Sequence, residues 1–321
     1  YIEQTMESQH VDRPLGCDVD AIGIYREEQE VLLIQLLFRR GRLVGSRRFD
    51  FSGIGEDDRE LLASFLLQYY EGGKEVPPEI LIPSLLEGQV SIEEILSGYR
   101  ERKVRLHVPC RGEKKALLEM AKVNAEALFK TQKNEERLSE KNLLEMQEVL
   151  GLSRYPYRIE CVDHSHFSGS EPAVSLVAFT GGCKDGRRSR SYSLKTDRKA
   201  DDHAALREVL WRRYKRAKEA NDLPDLLMVD GGKGHVQTAL RVLEELNVVC
   251  VDLIGIAKDR GNHGKGMTQE RIFLAEREEP IILSIRSPVL WLLQKIRDEA
   301  HRIAIGLHRK QRSKAMNVEL P

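Results

Sequence analysis

Along residues 151–321 the apolar positions change period several times, and each change marks a new element. Tyr157–Asp163 (YRIECVD) and Ala173–Phe179 (AVSLVAF) are apolar runs of strand length, and Arg188–Leu194 reads as a third strand with polar alternation. Ser168-Gly169 and Gly181-Gly182 lie between them and suit hairpins. From Asp201 to Ala220 the period becomes helical, with Leu206, Val209, Leu210, Tyr214 and Ala217 on one side. Leu223–Asp230 (LPDLLMVD) is a short strand ending in Gly231-Gly232, followed by a helix over Lys233–Leu246 and a strand over Val248–Ala257. A weak hairpin around Ile272–Leu274 and Ile281–Leu283 leads to a last helix, Pro288 to His308, whose proline sits where a first turn tolerates one.

The resulting order, β-β-β-α-β-α-β and then a helix, recurs in the first half with different residues. Strands are predicted over Asp20–Tyr25, Val31–Phe38 and Arg42–Phe51, then a helix over Glu56–Tyr70 and a strand over Glu79–Pro83. A helix over Ser91–Tyr99, a strand over Lys103–Val108 and a helix over Glu113–Phe129 complete the half. This reads as a degenerate duplication of one α/β unit, the alternative being two unrelated domains that share an order. A polar helical stretch, Lys130 to Leu150, ends at Gly151 and Pro156 and puts the break near residue 150, giving domains 1–150 and 151–321.

The length of 321 residues suits two domains. With 32% charged and 41% hydrophobic residues, disorder of the whole chain is excluded. No run approaches the ~18 apolar residues of a membrane span, and no signal peptide is readable. The chain opens on Tyr1, so upstream targeting is not readable either. Five scattered cysteines, Cys17, Cys110, Cys161, Cys183 and Cys250, form no C-x-x-C pair; a reducing, cytoplasmic location is the expectation.

Charge changes the picture more. The net charge of zero conceals 21 basic against 28 acidic residues in 1–150, and 30 against 23 in 151–321. Residues 181–218 hold 13 basic and 5 acidic side chains, and 286–314 hold 8 and 2. Such blocks form solvated faces or meet a polyanion.

Three antiparallel strands followed by alternating helices and strands describe a ribonuclease H-like α/β architecture, a mixed sheet flanked by helices. There, carboxylates on the first strand, the first helix and the fourth strand meet at one end of the sheet. Asp163 ends the first strand, Asp230 ends the fourth, and Asp202 lies in the first turn of the helix, on the side of Leu206 and Val209. A charge closing an apolar strand is costly to bury unless paired or bound to a metal. Oxygen ligands of this kind suit Mg²⁺ or Mn²⁺. Each acid also has a plainer reading: Asp202, or Asp201 beside it, as a helix cap, and Asp230 as the opening of a Gly-Gly turn. His301 lies at the edge of the last helix's apolar stripe, flanked by Arg297, Gln294 and His308. It is either a packing residue or, near carboxylates, a metal ligand or proton carrier.

DGGKGH (Asp230–His235) lacks the P-loop spacing, although Lys233 at a helix start can meet a phosphate oxygen. His164 and His166 alternate with Asp163 and so face away from it. The loop Gly261–Met267 is expected to be mobile, with Lys265 near a DNA backbone.

IECVDHSH (Ile159–His166), DDHAALREVL (Asp201–Leu210), LPDLLMVDGGKGH (Leu223–His235) and LLQKIRDEAHRIAI (Leu292–Ile305) strongly resemble the UvrC family. QYYEGGKEVPPEILIP (Gln68–Pro83) and VPCRGEKKALLEMAKVNAEAL (Val108–Leu128) extend the resemblance over essentially the whole chain. The resemblance implies a metal-dependent DNA endonuclease of nucleotide excision repair, cutting the damaged strand 5′ to a lesion and leaving a 3′-hydroxyl and a 5′-phosphate. It implies damaged double-stranded DNA and UvrB as partners, with UvrA upstream and no membrane. By the family pattern this chain begins just after the UvrB-binding segment and stops before the helix-hairpin-helix module.

The family's catalytic aspartates fall on Asp163, Asp230 and Asp202, and its histidine on His301; Asp163, Asp230 and His301 are the expected ligands of Mg²⁺ or Mn²⁺. Backbone contacts are expected from Lys233, Lys258, Lys265, Arg297, Arg302 and Arg309. Two positions depart from the family pattern, His164 at a usually apolar place and Ile303 where phenylalanine is usual. The first half ends its fourth strand in Pro83 where the second has Asp230, so it is expected to bind no catalytic metal and to act as scaffold. Two rivals remain: a stand-alone nuclease or resolvase on the same fold, and a non-catalytic binding module whose acids are caps and turns.

Overall fold

The computed structural model describes residues 18–165, 173–193, 202–258 and 270–318, with side chains in the last helix described as far as residue 305. The expectations for Asp201, His166, Ser168-Gly169, Lys265 and the loop Gly261–Met267 lie outside the described residues, as do the side chains of His164, His308 and Arg309. The chain divides into two compact units, Tyr1–Asn134 and Glu135–Pro321.

In the first unit, β1 (Val19–Glu27), β2 (Glu30–Arg39) and β3 (Arg42–Phe51) are followed by α1 (Asp58–Glu71), β4 (Glu79–Leu81), α2 (Gln89–Arg100) and β5 (Arg105–His107). The sheet order is β3-β2-β1-β4-β5, antiparallel through the first three strands and parallel beyond. Alternation along β1 buries both faces. Ile22 and Ile24 join Ile80 and Ile82 under α1, whereas Val19 and Ala21 join Leu81 under α3 (Glu113–Leu150). Sequence periodicity suggested a helix to Phe129 and a polar helical stretch after it; the two are one continuous helix, because nothing between them breaks the backbone ladder. The division between units falls within it, and residue 150 is its last residue.

The second unit repeats the plan with β6 (Arg158–Ser165), β7 (Ala173–Thr180), β8 (Cys183–Ser193), α4 (Asp202–Glu219), β9 (Leu226–Asp230), α5 (Lys233–Glu245), β10 (Asp252–Lys258), β11 (Glu270–Leu274) and α6 (Pro288–Val318). Read from its β8 edge, the sheet runs β8-β7-β6-β9-β10-β11. Val162, Leu176, Leu227 and Val229 pack under α4 and α5, and Ile159, Cys161, Met228 and Ile254 under α6. β10 begins at Asp252 rather than Val248, since Asn247 turns the chain at φ +51° and Val249 is left 96% exposed. The weak hairpin proves to be mainly an edge strand: β11 pairs antiparallel with β10 and meets Ile281 through a single bridge.

The duplication is visible in detail. Asp20 on β1 and Glu160 on β6 are both fully buried. Asp20 accepts hydrogen bonds from Tyr70 (2.7 Å), Gln35 (2.8 Å) and Arg39 (2.7 Å). Glu160 accepts from Arg213 and Tyr214. Tyr70 and Tyr214 hold the same place counted from the starts of α1 and α4. Burying a carboxylate is tolerated only with this kind of compensation.

Candidate metal centre

Parallel pairing of β6 with β9 sets Val162 beside Val229, so the next residues, Asp163 and Asp230, emerge side by side. Both follow the alternation of Cys161 and Met228 and project to the α6 face. The first histidine of α6 completes the group: ligand atoms of Asp163, Asp230 and His301 all lie within 4.8 Å of one another. His301 Nδ1 is 3.1 Å from Asp163 Oδ2. Asp163 is 3% exposed, whereas half of the His301 ring is open to solvent.

The placement of His301 begins with the stripe Val289, Leu293, Ile296 and Ala300, which packs α6 on the sheet. A second constraint is polar. Ser175, directly across β7 from Asp163, is fully buried and donates from its hydroxyl to the carbonyl of Ala300 at 2.8 Å. The helix is thus pinned one residue before the histidine.

Electrostatics leave the centre short of positive charge. Burial pushes the Asp230 carboxyl up to about 6, and the neighbouring Asp163 charge adds to this, against opposing help from Arg297 and His301. Arg297, one turn before His301, was expected to grip DNA. Its place is instead internal: it is 7% exposed, and its guanidinium pairs with buried Glu270 and, at 2.7 Å, with Asp298. Glu270 lies on β11, facing α6, and its Oε2 is buried without a hydrogen-bond partner.

Asp202 starts α4, on the other side of the sheet, and is half-buried; it is not in the 4.8 Å group. Near it, the rings of His203 and His235 lie tilted at 4.7 Å, and His203 Nδ1 is 2.9 Å from Thr238 Oγ1. Lys233 at the head of α5 and Lys258 at the end of β10 are exposed, and Arg302 is exposed but bonded to Glu299. The turn after Asp230 depends on Gly231, where φ is +155° and a β-carbon would fall 2.5 Å from the His235 ring.

Sequence reasoning missed Ser175 and Glu270. Ser175 left a signal as the one polar residue inside AVSLVAF. Glu270 left none, because its meaning depends on Arg297.

The matching positions of the first unit are empty of such chemistry. Counting from Asp20 as from Glu160, Asp163 corresponds to Gly23, and the β4 position of Asp230 to Pro83. A β-carbon on Gly23 would lie 2.2 Å from the Ala121 carbonyl group of α3. Helix backbone fills the space that carboxylates hold in the second unit. Among the described residues no second group of three such ligands occurs.

Two sheets that share the order 3-2-1-4-5, the second with a sixth strand at its edge and with adjoining carboxylates on its first and fourth strands, define a pair of ribonuclease H-like domains. A family model described as "UvrC RNAse H endonuclease domain" matches residues 147–305, and one described as "UvrC Ribonuclease H-like domain" matches 18–132. The chain belongs to the UvrC family. It is 61% identical over 314 residues to UvrABC system protein C of Protochlamydia amoebophila, covering 98% of this chain and 52% of that protein. To the protein of the same name from Chlamydia pneumoniae it is 37% identical over 315 residues, covering 98% and 51%. The chain therefore spans about half the length of these relatives. Among solved structures it is similar to Ciona intestinalis Endonuclease V in complex with a 24mer DNA, at 16% identity and a TM-score of 0.28, covering 56% of this chain and 99% of that one. Human ENDOV is similar at 15% identity and a TM-score of 0.26, covering 53% and 98%. No helix among the described residues is long and apolar enough to cross a membrane.

Proposed function

We propose that the second unit is the endonuclease that makes the incision 5′ to a lesion in nucleotide excision repair, using a divalent cation, and that the first unit is its scaffold. The observation that carries this reading is the convergence of Asp163, Asp230 and His301, from two neighbouring parallel strands and the middle of one helix, within 4.8 Å. Two carboxylates this close, one of them with its pKa raised to about 6, make a donor set that asks for a cation. Oxygen donors with one imidazole fit Mn²⁺ well and Mg²⁺ also. Asp163, Asp230 and His301 would hold the ion. When bound it polarises the scissile phosphate and acidifies an attacking water.

The protein's own groups supply the rest. Asp163 is fixed by burial and by its contact with His301, so its carboxylate is oriented before any ligand arrives. His301, with half its ring open to solvent, would either complete the ion's coordination or hand a proton to or from the reacting oxygens. Asp202, at the head of α4, would orient a ligand water or help to hold a second ion, the role the family pattern gives it. Lys233, Lys258 and Arg302 offer exposed charge to a DNA backbone, with sequence-indifferent contacts. Selection of damage then rests with UvrA and UvrB, and the setting is the cytoplasm.

The test is a nicking assay on a lesion-bearing duplex with UvrB, in Mg²⁺ or Mn²⁺, using this chain joined to a helix-hairpin-helix module. The expected product is a single nick 5′ to the lesion, lost in Asp163→Asn, Asp230→Asn and His301→Ala. Equal Mn²⁺ binding by wild type and Asp163→Ala in calorimetry would overturn the metal centre. Cleavage of free junctions without UvrB would favour a stand-alone resolvase.

A further inference from the structure

Resting on the reading that the second unit acts on DNA, we propose that a pocket between β8 and α4, on the face of the sheet away from the carboxylate centre, is a binding site for a backbone phosphate of that DNA. Arg188, Arg190, Tyr192, Arg213, Arg216 and Asp222 line it. Four guanidinium groups thus surround a single carboxylate.

That carboxylate is already taken. Asp222 pairs with Arg158, Arg188 and Arg213, and despite partial burial these charges hold it below the usual carboxylate range. Arg213 is further committed to Glu160 in the core. Arg190 and Arg216 remain. Both are exposed, and among the described residues neither has a carboxylate partner; Arg190 donates only to the carbonyls of Arg187 and Ser189. Two guanidiniums without counter-charge at one concave surface make a strong anion site, and their planar forks suit the oxygens of a phosphodiester.

Strand register places this pocket relative to the chemistry. Asp163 lies opposite Ser175, and Ser175 opposite Ser191, which sits between Arg190 and Tyr192. Arg190 and Tyr192 alternate with Ser191 and pair with Leu176 and Val174, so they face α4: the pocket lies two strands from Asp163 and on the other face of the sheet. The Tyr192 ring at the pocket's rim is held under Arg212, 5.9 Å from its guanidinium carbon, and the Trp211 ring lies 5.8 Å from that of Arg207. The surface is thus charged and aromatic rather than aliphatic, which favours a nucleic-acid backbone over an acidic protein segment.

The test uses the full chain, a fluorescein-labelled duplex oligonucleotide and Ca²⁺ in place of Mg²⁺, with anisotropy read over a salt series. The double variant Arg190→Ala/Arg216→Ala should bind about tenfold more weakly at low salt, and its slope of log affinity against log salt should be smaller by about 2. Arg190→Lys/Arg216→Lys should restore most of the loss, and Arg277→Ala/Arg286→Ala, which removes the same charge elsewhere in the unit, should leave the slope near that of wild type. Mn²⁺ binding by the double variant should match wild type. Wild type that binds while the double variant matches it in affinity and slope overturns this inference alone. Wild type that shows no salt-dependent binding overturns the functional reading as well.

Discussion

The hydroxyl of Ser175 donates at 2.8 Å to the carbonyl of Ala300, so the strand residue facing Asp163 across β7 also clasps the helix residue that precedes His301. One buried serine thereby ties together the two elements whose side chains make the centre. Ser175→Ala should cost about 1 kcal/mol of stability. Its larger effect should be on the ion site, seen as weaker Mn²⁺ binding by calorimetry while the thermal midpoint falls only slightly.

The raised pKa of Asp230 fixes a pH dependence. A carboxyl near 3.8 when unfolded and about 6 when folded binds its proton more tightly in the native state. It therefore favours folding below about pH 4, and this contribution is lost as pH rises through 6. Cation binding runs the opposite way, since the ion displaces that proton. Mn²⁺ affinity should rise about tenfold per pH unit between about pH 4 and 6 from this group alone, then flatten, as read by calorimetry across a buffer series.

Asp230→Asn removes the repulsion without changing shape. Without divalent cation and above pH 6, the variant should be more stable than wild type by about 1–3 kcal/mol in urea unfolding, the range allowing for partial solvent exposure. It should also lose ion binding. A variant less stable than wild type under these conditions would mean that the carboxylates do not repel.

The buried acids near the start of each first strand should behave alike. Arg213→Ala strands Glu160 and should cost about 3 kcal/mol or more, and Arg39→Ala does the same to Asp20. Tyr70→Phe removes one of several bonds and should cost about 1 kcal/mol. Chemical denaturation with a probe in each unit would separate the two effects.

Much of this was readable from residue order. Strands and helices announced themselves through apolar period, and Asp163 and Asp230 stood out because each ends an apolar strand. His301 was readable from the edge of the helix stripe. The sequence misled where meaning depended on a distant partner. Arg297 sits in a basic block and looks solvated, yet Glu270, on an edge strand with no pattern of its own, draws it inside. The extent of α3 was hidden because a polar helix exposes no stripe whose end can be seen. The opening of β10 was misplaced because Val248–Val251 is apolar although it only carries the chain out of α5.

The contact of Gly23 with Ala121 works as a ratchet. Once a helix backbone has settled against a strand with no side chain between them, any residue larger than glycine must first push the helix away. Gly23→Ala should therefore unfold or severely weaken the first unit, and Gly23→Asp together with Pro83→Asp should fail to create a second ion site. A carboxylate therefore cannot be introduced at that point of β1 by one exchange while the helix lies against the strand.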